Sequence, residues 1–387
     1  MTEKNRLPIP ESTQILITAL VDDNEIPFEG ARMPPRQIYH DEHFLRLEEE
    51  SILKNDWVFV GRTGQISNAG DYFTYDIVDQ PVVIFRQKDG GIRAFANTCL
   101  HRYAKLLEGS GNKQRFSCPY HAWTYTLEGD LVGAPYMGSE FSCKNKKMQL
   151  LRCEVWKGCV FVSLNEDVTS VAERYSAIEP LVANYRMDEL QDLIIEDDIF
   201  ECNYKLLFEN FTESYHVFQI HKNSLNTSQP IDAFEVLPGG DHYSIHKIGT
   251  DPEQQDPLID DVFNPHVTEA EQTFGWDIGL FPNGLLGVGP DHLWWLALMP
   301  EGPDRVRVRW GLSFSPYILE GVEDKNQLLE HFKTLHDQVN AEDKIGCAAV
   351  QRGSQFNASH RGYYQALEKT VWEFHRYLGK RLKKYAI

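Results

Sequence analysis

The chain has 387 residues, 42% of them apolar and 12% aromatic, and its 38 Lys and Arg against 57 Asp and Glu give a formal net charge of −19. That length supplies two or three hydrophobic cores, and the acidic balance opposes nucleic acid or an anionic membrane as a partner, since both need a basic surface. No uninterrupted apolar run approaches the length of a transmembrane helix. The opening MTEKNRLPIPEST lacks the apolar core of a secretory signal, so a cytoplasmic location is expected. The cysteines at 99, 118, 143, 153, 159, 202 and 347 form no C-x-x-C pair, and an odd, scattered set reads as reduced thiols.

In chain order, residues 1–40 contain PIPES and MPPRQIY and read as an N-terminal arm of extended and turning segments. Between Asp41 and Asn55, Phe44, Leu45, Leu47, Ile52 and Leu53 share one side of a helix. Short β-type runs follow (WVFVGR, YFTYDIV, PVVIFRQ, IRAFAN, WTYTL, CEVWKGCVFVSL), separated by turn signals such as SNAGD and KDGG. They predict a small antiparallel β domain over 41–170. Val168–Asp188 reads as helical. Residues 171–387 then alternate strand-like runs with helices near 205–217 and 324–350 and a basic amphipathic helix over Tyr363–Lys384. The whole is an α+β protein. The acidic, Pro-containing stretch 250–272 is a surface loop or a lid.

Two constellations carry chemistry. Cys99 and His101 form a C-x-H pair, and Cys118 and His121 a C-x-x-H pair. Two thiolates and two imidazoles suit a tetrahedral zinc site or a Rieske [2Fe–2S] cluster, in which two Cys hold one iron and two His the other. Further on, Glu213 and His216 are three apart on one helix face. His216 and His221 are five apart, about 140° around a helix, so for both to bind one metal the helix must end or distort between them. A third ligand would lie far along the chain. On the helix near 324–350, Phe332, Leu335, Val339, Gly346 and Val350 define an apolar stripe. Asp343 falls about 40° from its centre and Glu342 about 60° on the other side. A carboxylate on such a stripe is costly unless it is paired or metal-bound.

The string CxHR, a loop of sixteen residues, then CPYHxWxY and Gly129 resembles the Rieske motif of the non-haem iron oxygenases. NxKxxxENFxExYHxxxxH resembles the segment that supplies two His of their 2-His-1-carboxylate iron site. The resemblance covers roughly residues 40–387. It implies a Rieske domain joined to a helix-grip (SRPBCC-like) catalytic domain with an antiparallel sheet and long helices. It also implies a [2Fe–2S] cluster on Cys99, His101, Cys118 and His121, and mononuclear Fe(II) on His216, His221 and a carboxylate. ED-KIGCAAV-QRG resembles the third-ligand helix, which points to Asp343, with Glu342 in reserve. Asn210 and Glu213 join the catalytic residues, Glu213 linking the iron site to a neighbouring subunit's Rieske His. Three departures stand out: Tyr103 where the family usually has Gly, Tyr204 where many relatives have Trp (a packing change), and Glu213 where ring-dihydroxylating relatives commonly have Asp.

The implied reaction uses O2 and electrons from NAD(P)H through a separate flavin and iron–sulfur reductase, either directly or by way of a ferredoxin, and the implied assembly is a homotrimer. No GxGxxG opens a βαβ unit here, so the nucleotide needs that partner. Arg102, Lys105, Arg115 and the Lys144–Lys147 group are candidates for a donor docking patch. The chain length, Glu213 and the Glu368/Phe374–His375 ending resemble carnitine, choline and betaine oxygenases. They point to hydroxylation or N-demethylation of a quaternary ammonium compound, with Phe274, Trp276, Trp294 and Trp295 as candidate cation–π walls. Hydroxylation of an aromatic ring or aromatic acid is the alternative, with Arg307 and Arg309 as candidate carboxylate partners. A Rieske electron carrier with an inert second domain is the alternative of another class; it would hold two irons where the oxygenase holds three.

Overall fold

The period-two runs of the sequence become strands, and two features fix where they pair: tight turns and one buried face. The computed structural model describes residues 9–249, 258–259, 262 and 264–386. The chain divides into two compact units, one spanning Leu53–Glu173 and the other combining Met1–Ile52 with Arg174–Ile387. The first is therefore an insertion in the second. The boundaries expected at 40 and 170 shift accordingly, and residues 41–52 belong to the larger unit.

In the inserted unit the strands are β1 (Val58–Arg62), β2 (Asp71–Ile77), β3 (Gln80–Arg86), β4 (Ile92–Ala96), β5 (Ser110–Asn112), β6 (Arg115–Ser117), β7 (Thr124–Thr126), β8 (Leu131–Gly133), β9 (Leu150–Trp156) and β10 (Cys159–Ser163). A seven-stranded sheet runs β1-β10-β9-β4-β3-β2-β5, and β6-β7-β8 form a smaller one. These strands pair antiparallel throughout, as in β2 with β3 and β10 with β9. Lys157 and Gly158 turn the β9–β10 hairpin with positive φ at both positions, the conformation a two-residue type I′ loop requires. The hydrophobic cluster under the small sheet contains Phe85, Phe95, Phe116, Trp123 and Tyr125 together with Cys99 and Cys118.

The larger unit holds α1 (Glu11–Asp23), α2 (Glu42–Glu48), the short helices α3 (Val171–Arg174) and α4 (Glu179–Val182), then β11 (Gln191–Phe200), α5 (Tyr204–Thr212), α6 (Val217–Ile220), β12 (Phe234–Val236), β13 (Tyr243–Gly249), β14 (Phe274–Leu280), β15 (Gly284–Val288), β16 (His292–Gly302), β17 (Arg305–Phe314), α7 (Pro316–Gly321), α8 (Lys325–Ser354) and α9 (Lys369–Leu382). Its sheet runs β11-β17-β16-β15-β14-β13-β12. On β17, Val306, Val308 and Trp310 are buried in the core, while the alternate residues Arg307 and Arg309 pair with Glu301 and Asp197. Helices α5 and α8 pack on one another and on this sheet, the helix-grip arrangement that the family resemblance implies.

Three expectations change here. The N-terminal arm contains α1, which buries Leu16, Ile17 and Leu20 in the main core and packs against α9; the flanking prolines bound a helix instead of excluding one. The buried face of α8 is not the apolar stripe. It carries Phe332, His336, Val339, Asn340, Asp343, Cys347 and Gln351, whereas Val350 is exposed. Asp343 thus lies within the buried face. Finally, Tyr204 does more than fill space. Its hydroxyl donates to Glu48 Oε1 at 3.1 Å, and Lys205 Nζ reaches Glu48 Oε2 at 2.6 Å with both side chains fully buried. Burial pushes the Glu48 pKa up to about 7 against the opposing pull of Lys205. The stretch 250–272 falls partly outside the described residues, at 250–257, 260, 261 and 263.

Candidate functional site

The two Cys/His loops of the inserted unit close in the same way. Tyr103 N donates to Cys99 O at 3.0 Å and Cys99 N to Ala104 O at 2.9 Å; Ala122 N donates to Cys118 O at 3.0 Å and Cys118 N to Trp123 O at 2.8 Å. Each loop needs a left-handed residue four after its Cys. Tyr103 (φ 61°) and Ala122 (φ 59°) fill those positions. This explains why Gly suits position 103, and the Tyr keeps the loop shape with its ring 83% exposed.

Both Cys are buried, and the two imidazoles meet with Nδ1 atoms 3.1 Å apart. The His101 ring stacks on Trp123 at 4.9 Å. Tyr125 accepts from Leu100 N at 3.0 Å, leaving its proton for a Cys99 thiolate 3.3 Å away. Among the described residues only His216, His221 and Asp343 bring their donor atoms all within 4.8 Å of one another. Two matching loops, each bringing one buried Cys and one His, supply the two thiolates and two imidazoles that a two-iron cluster with two ligands per iron requires.

The second constellation is built at a helix break. α5 ends at Thr212, and Glu213 is already extended, so Glu213 and His216 do not share a helix face as expected. His216 and His221 instead flank the single turn of α6, which turns both rings to one side. Glu213 Oε1 lies 2.7 Å from His216 Nδ1, and its other oxygen accepts from the backbone of Tyr215 and His216. On the far side His221 Nδ1 lies 2.8 Å from Glu342 Oε2, which also accepts from Ser224 Oγ at 2.6 Å. With each Nδ1 held by a carboxylate, each Nε2 is free for a metal.

Those Nε2 atoms lie 3.6 Å (His216) and 3.0 Å (His221) from Asp343 Oδ1. Metal–ligand bonds of about 2.1 Å at right angles need donors about 3 Å apart, so the three residues fit a facial metal site. Asn210 Nδ2 donates to the same Asp343 oxygen at 3.1 Å. Burial opposes protonation of His221, yet the hydrogen bonds and charges of Asp343 and Glu342 outweigh it and raise its pKa, the mark of a site short of positive charge. Asp343 therefore joins the two His, and Glu342 sits one ring away. Sequence spacing left that choice open; the contact of Glu342 with Ser224 had no sequence signal.

A cavity of about 560 Å³, a size that takes a small organic molecule, is walled by none of the three ligands but by their neighbours: Ser224, which donates to Glu342, and Val339, one turn before Asp343 on α8. Its wall includes Ser224, Asp277, Trp294, Phe332, His336 and Val339, and no Lys or Arg among the described residues. Of the aromatics expected to line it, only Trp294 does so. Trp295 and Trp276 are core residues, and Phe274 lies under Lys247 Nζ at 3.9 Å. Arg307 and Arg309, engaged by their acidic partners, do not line it either. At the C-terminal end, His375 Nε2 lies 2.9 Å from Glu209 Oε1 and its Nδ1 2.7 Å from Tyr364 Oη.

Residues 56–153 match the Rieske [2Fe-2S] domain family, and residues 171–384, more than half of the chain, match the family described as ring hydroxylating alpha subunit (catalytic domain). The chain belongs to the Rieske ring-hydroxylating oxygenases. As a member it is an O2-dependent oxidoreductase that carries a [2Fe–2S] cluster and a mononuclear iron, and oxygenases of this kind work with separate electron-transfer proteins. Choline monooxygenase of Arabidopsis thaliana is 29% identical over 93% of this chain and 85% of its own length. The glycine betaine monooxygenase oxygenase subunit of Chromohalobacter salexigens is 32% identical over 51% of this chain and 45% of its own. Among solved structures, the quaternary ammonium Rieske monooxygenase CntA with L-carnitine superposes with a TM-score of 0.75 at 21% identity, covering 97% of this chain and 99% of that one. Naphthalene 1,2-dioxygenase from Rhodococcus sp. gives 0.80 at 19% identity and the same coverage. At these identities the structures establish the oxygenase fold. Among the described residues no helix is long and apolar enough to cross a membrane.

Proposed function

We propose that this oxygenase hydroxylates or N-demethylates a small quaternary ammonium compound. The observation that carries the reading is the cavity wall. It offers carboxylates at Asp277, 3.2 Å from His246 Nε2, and Asp291, 2.9 Å from His292 Nδ1, with the indole of Trp294, and among the described residues no Lys or Arg. An aromatic acid brought there would bury its carboxylate without a Lys or Arg partner, and an unpaired buried charge costs about 3–5 kcal/mol. A quaternary cation meets the opposite sign and a π face. The choline and glycine betaine monooxygenases among the relatives support the same class.

When bound, the mononuclear iron supplies O2 activation and the cluster supplies single electrons. The residues of the chain have separate tasks: His216, His221 and Asp343 would hold the iron, and Glu342 and Glu213 fix the two imidazoles with each Nε2 facing inward. Asn210 ties down the Asp343 oxygen. In this reading Glu213 also couples the iron site to a Rieske His of the next subunit in a head-to-tail homotrimer, a ring that closes by symmetry. Inter-subunit electron transfer has been described for CntA. A Glu213→Gln protein whose reduced cluster reoxidised at the wild-type rate would remove that role.

The deciding experiment supplies electrons through a reductase and compares choline, carnitine and glycine betaine with benzoate and other aromatic acids. O2 consumption is read against product. Coupled turnover of a quaternary amine is the expected result; coupled turnover of the acids alone overturns it.

A further inference from the structure

His336 lines the cavity and is 93% buried (7% relative exposure). It lies on α8 seven residues before Asp343, away from the metal ligands. Its Nδ1 is 2.8 Å from the backbone carbonyl of Phe332. A carbonyl only accepts, so Nδ1 carries the ring hydrogen and Nε2 presents a lone pair. Nε2 has no hydrogen-bond partner among the described residues, and neighbouring atoms do not seal it off; in a buried residue on the cavity wall it faces the cavity. Edge contacts with Trp294 at 4.9 Å and His292 at 5.3 Å hold the ring in place.

Burial, reinforced by His292 beside it, lowers the His336 pKa to about 3, so the ring is neutral under working conditions. The neighbouring His292 has its own partner, with Nδ1 2.9 Å from Asp291 Oδ2. His336 thus supplies an acceptor with a fixed tautomer in a cavity whose described lining holds no Lys or Arg.

We propose that His336 Nε2 accepts a hydrogen bond from a hydroxyl on the substrate, so that the cavity selects a quaternary amino alcohol over a quaternary amine without a donor. The cation then lies against the carboxylate of Asp277 and the ring of Trp294. This rests on the quaternary ammonium reading and narrows it. The sequence did not expose the feature, because a His on a helix face is most often a satisfied core residue; the Nδ1 contact and the open Nε2 identify it.

The test uses the iron-loaded protein and two probes that differ by one hydroxyl, (2-hydroxyethyl)trimethylammonium and ethyltrimethylammonium. Binding by calorimetry and coupled turnover are measured for the wild type, His336→Leu and His336→Gln. The wild type is expected to favour the hydroxyl compound by about tenfold, the worth of one buried hydrogen bond. His336→Leu is expected to erase that preference by raising KM for the hydroxyl compound alone. His336→Gln, which keeps an acceptor, restores part of it. Equal losses for both probes in His336→Leu, with the His336→Gln protein folded and no better, show a structural role and overturn the proposal. So does a wild type without preference, which leaves the quaternary reading intact. If neither probe binds or turns over, the quaternary reading and the proposal fall together.

Discussion

Adjacent carboxylates at 342 and 343 approach the same metal site at different depths. Asp343 Oδ1 is within reach of both Nε2 atoms, whereas Glu342 meets the outer nitrogen of His221. Asp343→Ala should therefore remove the mononuclear iron, taking the chain from about three irons to about two while the cluster's visible absorption persists. Glu342→Gln should keep the site but weaken its iron affinity by about 10–100-fold, the usual cost of losing a group that orients a ligand. Metal analysis under iron titration checks both, and the reverse order of effects would exchange their assignments. At Tyr103 the left-handed backbone costs a side chain about 1–2 kcal/mol, partly offset by the freedom a Gly would lose on folding. Tyr103→Gly should accordingly leave the cluster in place and raise the stability of its unit by about 1 kcal/mol or less. Thermal loss of the visible absorption measures it; a clear drop in Tm would mean that the exposed ring has a packing role.

Among the secondary-structure elements, those that hold the site were legible where the pattern was apolar and obscure where it was polar. The strands of both sheets follow from alternation, and both ligand loops follow from spacing. The active-site face of α8 does not, because it buries Asn340, Asp343 and Gln351. Gln351, for example, is satisfied by Asn203 N at 2.9 Å and Tyr39 O at 3.1 Å, partners that lie far away in the sequence. The end of α5 at Thr212 was equally hidden. Glu213 turns its carboxylate back onto the Tyr215 and His216 backbone, an alternative to continuing the helix that local hydrogen bonding makes available. On α9, Glu373 accepts from Gly239 N at 3.0 Å through one oxygen, and the other is buried without a partner. Burial raises its pKa to about 7. With the folded value above the unfolded 4.5, the native state binds the extra proton between the two, so this group's contribution is favourable at acid pH and fades as pH rises through about 7. Glu373→Gln keeps the acceptor and removes the charge. It should leave Tm unchanged near pH 5 and raise stability at pH 8, by at most about 3 kcal/mol from the size of the shift. A uniform change at both pH values would mean that the effect is packing and not titration.

For the whole molecule, the net charge of −19 would repel an electron donor that is itself acidic, unless local positive charge offsets it. The inserted unit places Arg102 and Arg115 in solvent, with Arg102 lying over the Tyr120 ring at 5.6 Å. Lys105, also expected in a docking patch, is engaged by Asp76 at 3.1 Å and Glu108 at 3.0 Å. Arg102, next to His101 in the chain, and Arg115 are exposed positive points on a chain of net negative charge. Rim charges of this kind act mainly on the rate of encounter and are screened over about 8–10 Å at ordinary ionic strength. Arg102→Glu and Arg115→Glu should each lower kcat/KM for the reduced donor several-fold at low salt. The variants and the wild type should converge as salt rises, while KM for the organic substrate and the iron content stay unchanged, because neither residue touches the cavity. Stopped-flow reduction of the cluster across a salt series measures this directly, and reduction rates indifferent to salt in all three proteins would place donor docking on some other face.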